Sequence, residues 1–159
     1  MTVARLAMDR TTNTPVVFLR EVVGTRGVAI WIGAAEASAI GFALQGEEPP
    51  RPMTHDLLAA AIRAHGGGVD RVAVVAMRNG TYFAEVRLRR EDGEATVLDA
   101  RPSDAIALAL RTGADIVAAT SLLTEEGGAA PESPEPLTAE ELREPLRRLG
   151  PEDFGRFVP

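Results

Sequence analysis

Apolar and polar residues alternate in short runs along much of the chain, the two-residue period of half-buried strands. Weak alternation over 3–8 predicts a first strand, and 11–14 reads as a polar turn. A second apolar run, 16–22, is turned back by Gly24-Thr25-Arg26-Gly27 into a third at 28–32, which makes a hairpin. The period then lengthens. Residues 36–44 predict an Ala-rich helix, ended by the three prolines within 46–52. Thr54 is a suitable N-cap for a second helix over 55–65, with Leu57, Leu58, Ala61 and Ile62 on one face and Gly66-Gly67-Gly68 as its stop.

The strand period returns at 71–77, 81–89 and 95–98, with Asn79-Gly80 as a hairpin signal and Glu91-Asp92-Gly93 as a second turn. Residues 99–113, D-A-R-P-S-D-A-I-A-L-A-L-R-T-G, then bring a charged turn and a helix together. Pro102 suits a first helical turn, because its φ is fixed and it has no N–H to leave unpaired. Asp104 sets a negative charge against the free N–H groups of that turn. Ala105, Ile106, Leu108, Ala109 and Leu110 make a helix apolar on nearly all sides, which belongs in a core. Gly113 supplies a left-handed stop, with Arg111 in the last turn against the negative end of the dipole. Residues 116–118 read as a last short strand.

An offset of 66 residues relates the two halves. It pairs Ala39-Ile40-Gly41-Phe42-Ala43-Leu44 with Ala105-Ile106-Ala107-Leu108-Ala109-Leu110, and also Gly27 with Gly93, Arg5 with Arg71 and Thr54 with Thr120. The expected fold class is α+β: two β-β-β-α-α-like pseudo-repeats forming one compact body with a mixed, mainly antiparallel sheet. The last helix of the second copy falls at 121–126. The copies differ where charge sits: Glu36 aligns with Pro102, Ala35 with Arg101, Ser38 with Asp104, Gly33 with Asp99 and His55 with Ser121. A repeat can keep its packing residues while one copy diverges for a task, so suspicion falls on Glu36, His55, Asp99, Arg101 and Asp104.

Charge divides the chain. Residues 1–124 hold 14 acidic and 13 basic side chains, and residues 125–159 hold 9 and 4. Expected boundaries are a domain over 1–124, an acidic Pro/Gly-rich linker over 125–137, and a tail over 138–159 with a short amphipathic helix at 138–149, capped by Thr138 and Glu141. Phe154 and Phe157 in the tail suit docking on the body or on a partner protein. The body carries no basic stripe, and 4% aromatic residues are too few for an extended base-stacking platform. There is no cysteine, which excludes disulfides and thiol chemistry. No run is apolar enough to span a bilayer and no leader pattern is present, so the expectation is a cytoplasmic protein without a membrane partner.

Three stretches in order, I-W-I-G-A-A-E-A-S-A-I, P-P-R-P-M-T-H-D-L-L and D-A-R-P-S-D-A-I-A-L-A-L-R-T-G, resemble the bifunctional nuclease (BFN domain) family of bacteria and plants. The resemblance covers about 16–118, and the terminal P-E-D-F is similar as well. It implies a compact, often dimeric α+β protein with DNase and RNase activity of little sequence preference. A homodimer acting on single-stranded DNA or RNA is the corresponding expectation.

Phosphodiester hydrolysis needs an activated water and groups that stabilise charge on the phosphoryl oxygens. The candidate catalytic residues are His55, Asp104 and Glu36. Asp104, Asp99 and Glu36 offer oxygens for Mg²⁺ or Mn²⁺, and Arg101 and Arg51 offer bidentate phosphate contacts. Each residue also has a structural reading. Asp104 can cap its helix, Arg101 can pair with Asp99 or Glu36, His55 can sit at a helix start, and Arg51 can be an exposed loop charge. Trp31 reads as core or interface. The alternatives to a nuclease are a non-catalytic ligand-binding or regulatory module, and an interaction protein that recruits a partner through its tail.

Overall fold

The computed structural model describes residues 1–47, 49–90 and 93–128. The linker beyond 128, the tail helix at 138–149, Phe154 and Phe157 lie outside the described residues. Strands β1 (Thr2–Asp9), β2 (Thr14–Arg20) and β3 (Gly27–Trp31) form an antiparallel sheet in chain order. Helices α1 (Ala34–Gln45) and α2 (Thr54–Ala64) follow. Strands β4 (Gly67–Arg78), β5 (Thr81–Arg90) and β6 (Ala95–Ala100) then make an antiparallel meander. Helix α3 (Pro102–Thr112) leads into β7 (Asp115–Ala118), which joins the second sheet parallel to β4 in the order β6-β5-β4-β7. The α+β architecture is that of the sequence pattern, with its strands divided between two sheets. Three strands and a helix recur in each half, but the second half ends differently. Residues 121–126 do not form one helix: a 3-10 turn (Thr120–Leu122) precedes a single turn α4 (Glu125–Gly128). Thr124 pairs with Gly27 through both backbone groups, and Thr25 donates to Glu125 at 2.6 Å, so this segment closes on the first sheet.

Both sheets contribute to one core. Val17, Leu19 and Ile30 from the first meet Ile40 of α1, Val72, Val74 and Ala84 of the second, and Ile106 of α3. Helix α3 is buried at Ala105, Ile106, Ala107, Leu108 and Ala109 in succession, as its all-round apolar pattern requires. Ala7, Val16 and Phe18 form a smaller cluster on the other face of the first sheet. Arg5 lies 5.2 Å from the Phe18 ring centroid.

Several boundaries differ from the sequence pattern for physical reasons. Helix α2 begins at Thr54 with Met53 as N-cap, because the Asp56 carboxylate accepts the Met53 N–H at 2.8 Å and supplies the cap itself. Its inward face is His55, Ala59 and Ile62, at helical spacing, while Leu57 and Leu58 are exposed. Of the face read from the sequence, Ile62 packs against the core, whereas Leu57, Leu58 and Ala61 are exposed. Only Gly66, at φ 67°, serves as the stop, and Gly67 and Gly68 already belong to β4. Val22 lies beyond β2 and is exposed.

Arg111 joins the three long helices. It sits in the last turn of α3 and donates to the carbonyl of Ala107 at 2.9 Å, to the carbonyl of Ala39 in α1 at 3.0 Å, and to the carboxylate of Asp56 in α2. Two of these acceptors belong to other helices, so the dipole role expected for Arg111 is only part of what it does. Arg111→Ala leaves Asp56 without its cation and the Ala39 carbonyl without this donor. It is expected to lower unfolding free energy by about 3 kcal/mol, read as a shifted urea midpoint. A loss under about 0.5 kcal/mol would mean that apolar packing alone holds the helices.

Candidate active site

The chain leaves β6 at Ala100 and enters α3 through Arg101, Pro102, Ser103 and Asp104. Arg101 is the N-cap, with extended backbone, and makes no side-chain cap hydrogen bond. Its guanidinium turns sideways. Nε donates to Asp104 Oδ2 at 2.7 Å, and Nη2 donates to Asp104 Oδ1 at 3.1 Å and to Glu36 Oε1 at 2.8 Å. His55 Nε2 lies 3.0 Å from Asp104 Oδ1. The result is a continuous chain of contacts, His55–Asp104–Arg101–Glu36, drawn from the first turns of all three long helices.

The two carboxylates hold corresponding places. Counted from the N-caps Gly33 and Arg101, Glu36 and Asp104 are each the third helical residue. The sequence offset had aligned Asp104 with Ser38, but Ser38 is buried in α1 and donates to the Ala34 carbonyl. Gly33 makes room for Glu36: a Cβ at position 33 would lie 2.2 Å from Glu36 Oε2. Arg101 is thus gripped from two helix N-termini, where negative side chains are favoured.

Exposure separates the members. The Arg101 side chain is 66% exposed, whereas that of His55 is only 11% exposed. Burial alone would push the Asp104 carboxyl up, but the hydrogen bonds from Arg101 and His55, and their charges, hold it below its ordinary value of 3.8. Asp104 is therefore ionised at neutral pH. Asp56 behaves alike: burial raises it, and the Met53 N–H and Arg111 outweigh that and lower it.

The rim of this cluster opens into a cleft of about 340 Å³ between the β3 edge and the start of β5. Its walls include Gly33, Trp31, Thr81, Tyr82, Arg101 and Ser103. Trp31, read from sequence as core or interface, is not in the core: it is 54% exposed, and its indole N–H donates to Asp9 at 3.0 Å. Burial raises the Tyr82 hydroxyl above its ordinary value, so it stays protonated. Ser103 and Tyr82 were not singled out from sequence. The signal for Ser103 was present, since Pro102 at the first helical position makes Ser103 the second, where the N–H has no helical partner.

The remaining candidates lie elsewhere. Asp99 is exposed on β6, opposite Glu85 of β5, and joins none of these contacts. The strand ends at Ala100 and Arg101 is already the N-cap of α3, so the two-residue period that would put Asp99 and Arg101 on one face does not carry across. Arg51 is exposed in the loop before α2 and makes no contact with the cluster among the described residues. The expected cation set of Asp104, Asp99 and Glu36 is not assembled. Both oxygens of Asp104 and one of Glu36 already accept from Arg101 or His55. Among the described residues, no three His, Asp or Glu side chains form a group that could hold a metal ion. As paired, the cluster leaves one carboxylate oxygen outside its contacts, Glu36 Oε2.

A family model, described as the bifunctional nuclease domain, matches residues 17–131. The chain belongs to the bifunctional nuclease domain family. Two uncharacterised proteins from two strains of Mycobacterium tuberculosis are each 38% identical to it over 160 residues, 96% of this chain and 95% of theirs. The match to the family model takes in every residue of the four-membered chain of contacts and all of the cleft walls. Among the described residues, no helix of this bifunctional nuclease domain protein is long and apolar enough to cross a membrane.

The lowered carboxyl of Asp104 fixes how the site responds to acid. A folded-state value below the unfolded one adds stability above about pH 3.8, and this is lost as pH falls through the folded value. Asp104→Asn is therefore expected to flatten the fall of unfolding free energy below pH 4, measured by urea titration at each pH. An unchanged slope would show that the Arg101 and His55 contacts do not persist in solution.

Proposed function

We propose that this protein hydrolyses phosphodiester bonds of single-stranded DNA or RNA, with little sequence preference, at the cleft beside Arg101. The observation that carries this reading is Arg101 itself: a guanidinium on the rim of a cleft, fixed from both sides by carboxylates of two helix N-termini. The pairs described above leave its Nη1 without a partner among the described residues. A phosphate oxygen can take that position without breaking the cluster. The cleft lies near the lower limit of small-molecule pockets, about 300–1,000 Å³, which suits one nucleotide and excludes a duplex.

The roles follow from exposure and contacts. In this reading Glu36, whose Oε2 stays outside the ion pair and next to Gly33 of the cleft wall, takes a proton from water as that water attacks phosphorus. Arg101 offsets the charge that builds on the phosphoryl oxygens as the bond to the leaving oxygen breaks. Asp104 aligns Arg101 through two hydrogen bonds. His55, almost enclosed, orients Asp104 and is a positioning residue.

The test is cleavage of a fluorescent single-stranded oligonucleotide by the purified protein, in EDTA and with added Mg²⁺ or Mn²⁺. Glu36→Gln and Arg101→Ala are each expected to lower kcat/KM by about 100-fold or more, and His55→Ala by less. Cleavage that survives both of the first two substitutions in folded protein would reject these roles. Activity confined to the Mn²⁺ or Mg²⁺ arm would show that the Arg101 pairs open to admit a cation.

A further inference from the structure

We propose that the N-terminus of α3, with the Ser103 hydroxyl, is a seat for a tetrahedral phosphate group in the cleft. Resting on the hydrolytic reading, it deepens it by assigning the groups that bind the phosphate. Ser103 is only 6% exposed, yet it lines the cleft, and its hydroxyl has no partner among the described residues. The hydroxyl keeps contact with solvent at the cleft, where a ligand oxygen can take the place of water. The first bond of the α3 ladder runs from the Ala105 N–H to the Arg101 carbonyl, so the N–H groups of Ser103 and Asp104 precede it and are free for an anion. Pro102 contributes no N–H, and no side chain caps this end.

Two further features favour an anion. Gly33, at the N-cap of α1, borders the same cleft, so a second helix presents its positive end there. Arg101 stands on the rim with Nη1 unused. The carboxylates of Glu36 and Asp104 oppose an anion, but both are bound to Arg101, and Asp104 also to His55. The seat is therefore built from donors, a hydroxyl, two backbone N–H groups and a guanidinium edge, with Glu36 Oε2 as the acceptor left beside it. Such a set selects a phosphate monoester or diester oxygen over an uncharged sugar or base.

The test is binding, followed by calorimetric titration of the intact protein with thymidine 5′-monophosphate, inorganic phosphate and thymidine as separate probes. Saturable binding of the first two and none of thymidine is expected. Ser103→Ala should weaken both by about tenfold, the scale of one hydrogen bond to a charged group, and leave the melting temperature of the free protein unchanged. Ser103→Asp places a carboxylate at the second helical position, which helix electrostatics favour, and should abolish phosphate binding in folded protein. Equal affinity of Ser103→Ala and the parent, or equal binding of thymidine, would overturn the seat. Phosphate binding that depends on Ser103 in a protein that cleaves no nucleic acid upholds the seat and rejects hydrolysis. Cleavage with binding indifferent to Ser103 does the reverse.

Discussion

Burial of α3 governs what the rest of the molecule can do. Five consecutive residues of this helix are enclosed, and it touches α1, α2, β4, β5 and β7. Its side chains between the ends have no access to water, so every polar demand of the helix is met at its termini. At the C-terminal end Arg111 meets the carbonyls of α1 and α3 and the carboxylate of Asp56. At the N-terminal end Arg101 and Asp104 meet Glu36 and His55. The two clusters share a partner element, because His55 and Asp56 are neighbours on α2 and diverge by the turn of one helical residue. One short stretch of α2 thus fixes α3 at both ends, two turns apart.

The ends differ in exposure. Arg111 is nearly enclosed, and its contacts hold three helices in register. Arg101 is exposed and keeps one nitrogen aside, while the N–H groups and hydroxyl beside it are likewise unspent. The proposed site rests on that difference in exposure, 9% of the side chain for Arg111 against 66% for Arg101. Carboxylates and a guanidinium coexist there because the acids hold the cation in place at two helix N-termini, where their own charge is favoured.

The repeat shows how such a site arises from duplicated packing. The third residue of α1 and the third residue of α3 are both acidic, and both face the same arginine. The first copy supplies glycine at its N-cap and the second supplies arginine, so one arginine serves two helix ends. Sequence comparison at a constant offset did not show this equivalence, since the two helices begin at slightly different distances from their preceding strands.

Local chemistry along the chain was enough to specify the strands, the hairpins and the buried character of α3. Those features depend on period, turn residues and short-range spacing, which are properties of neighbours. The sequence also offered Glu36 as a partner for Arg101, and the two are paired. Tertiary structure alone decided that His55 reaches Asp104 while Asp99 and Arg51 stay apart, that Leu57 and Leu58 face outward, and that Ser103 borders a cleft. Each of these depends on how helices cross and which strand edge lies opposite, and such relations are set by packing between segments far apart in the chain, where no sequence spacing records them.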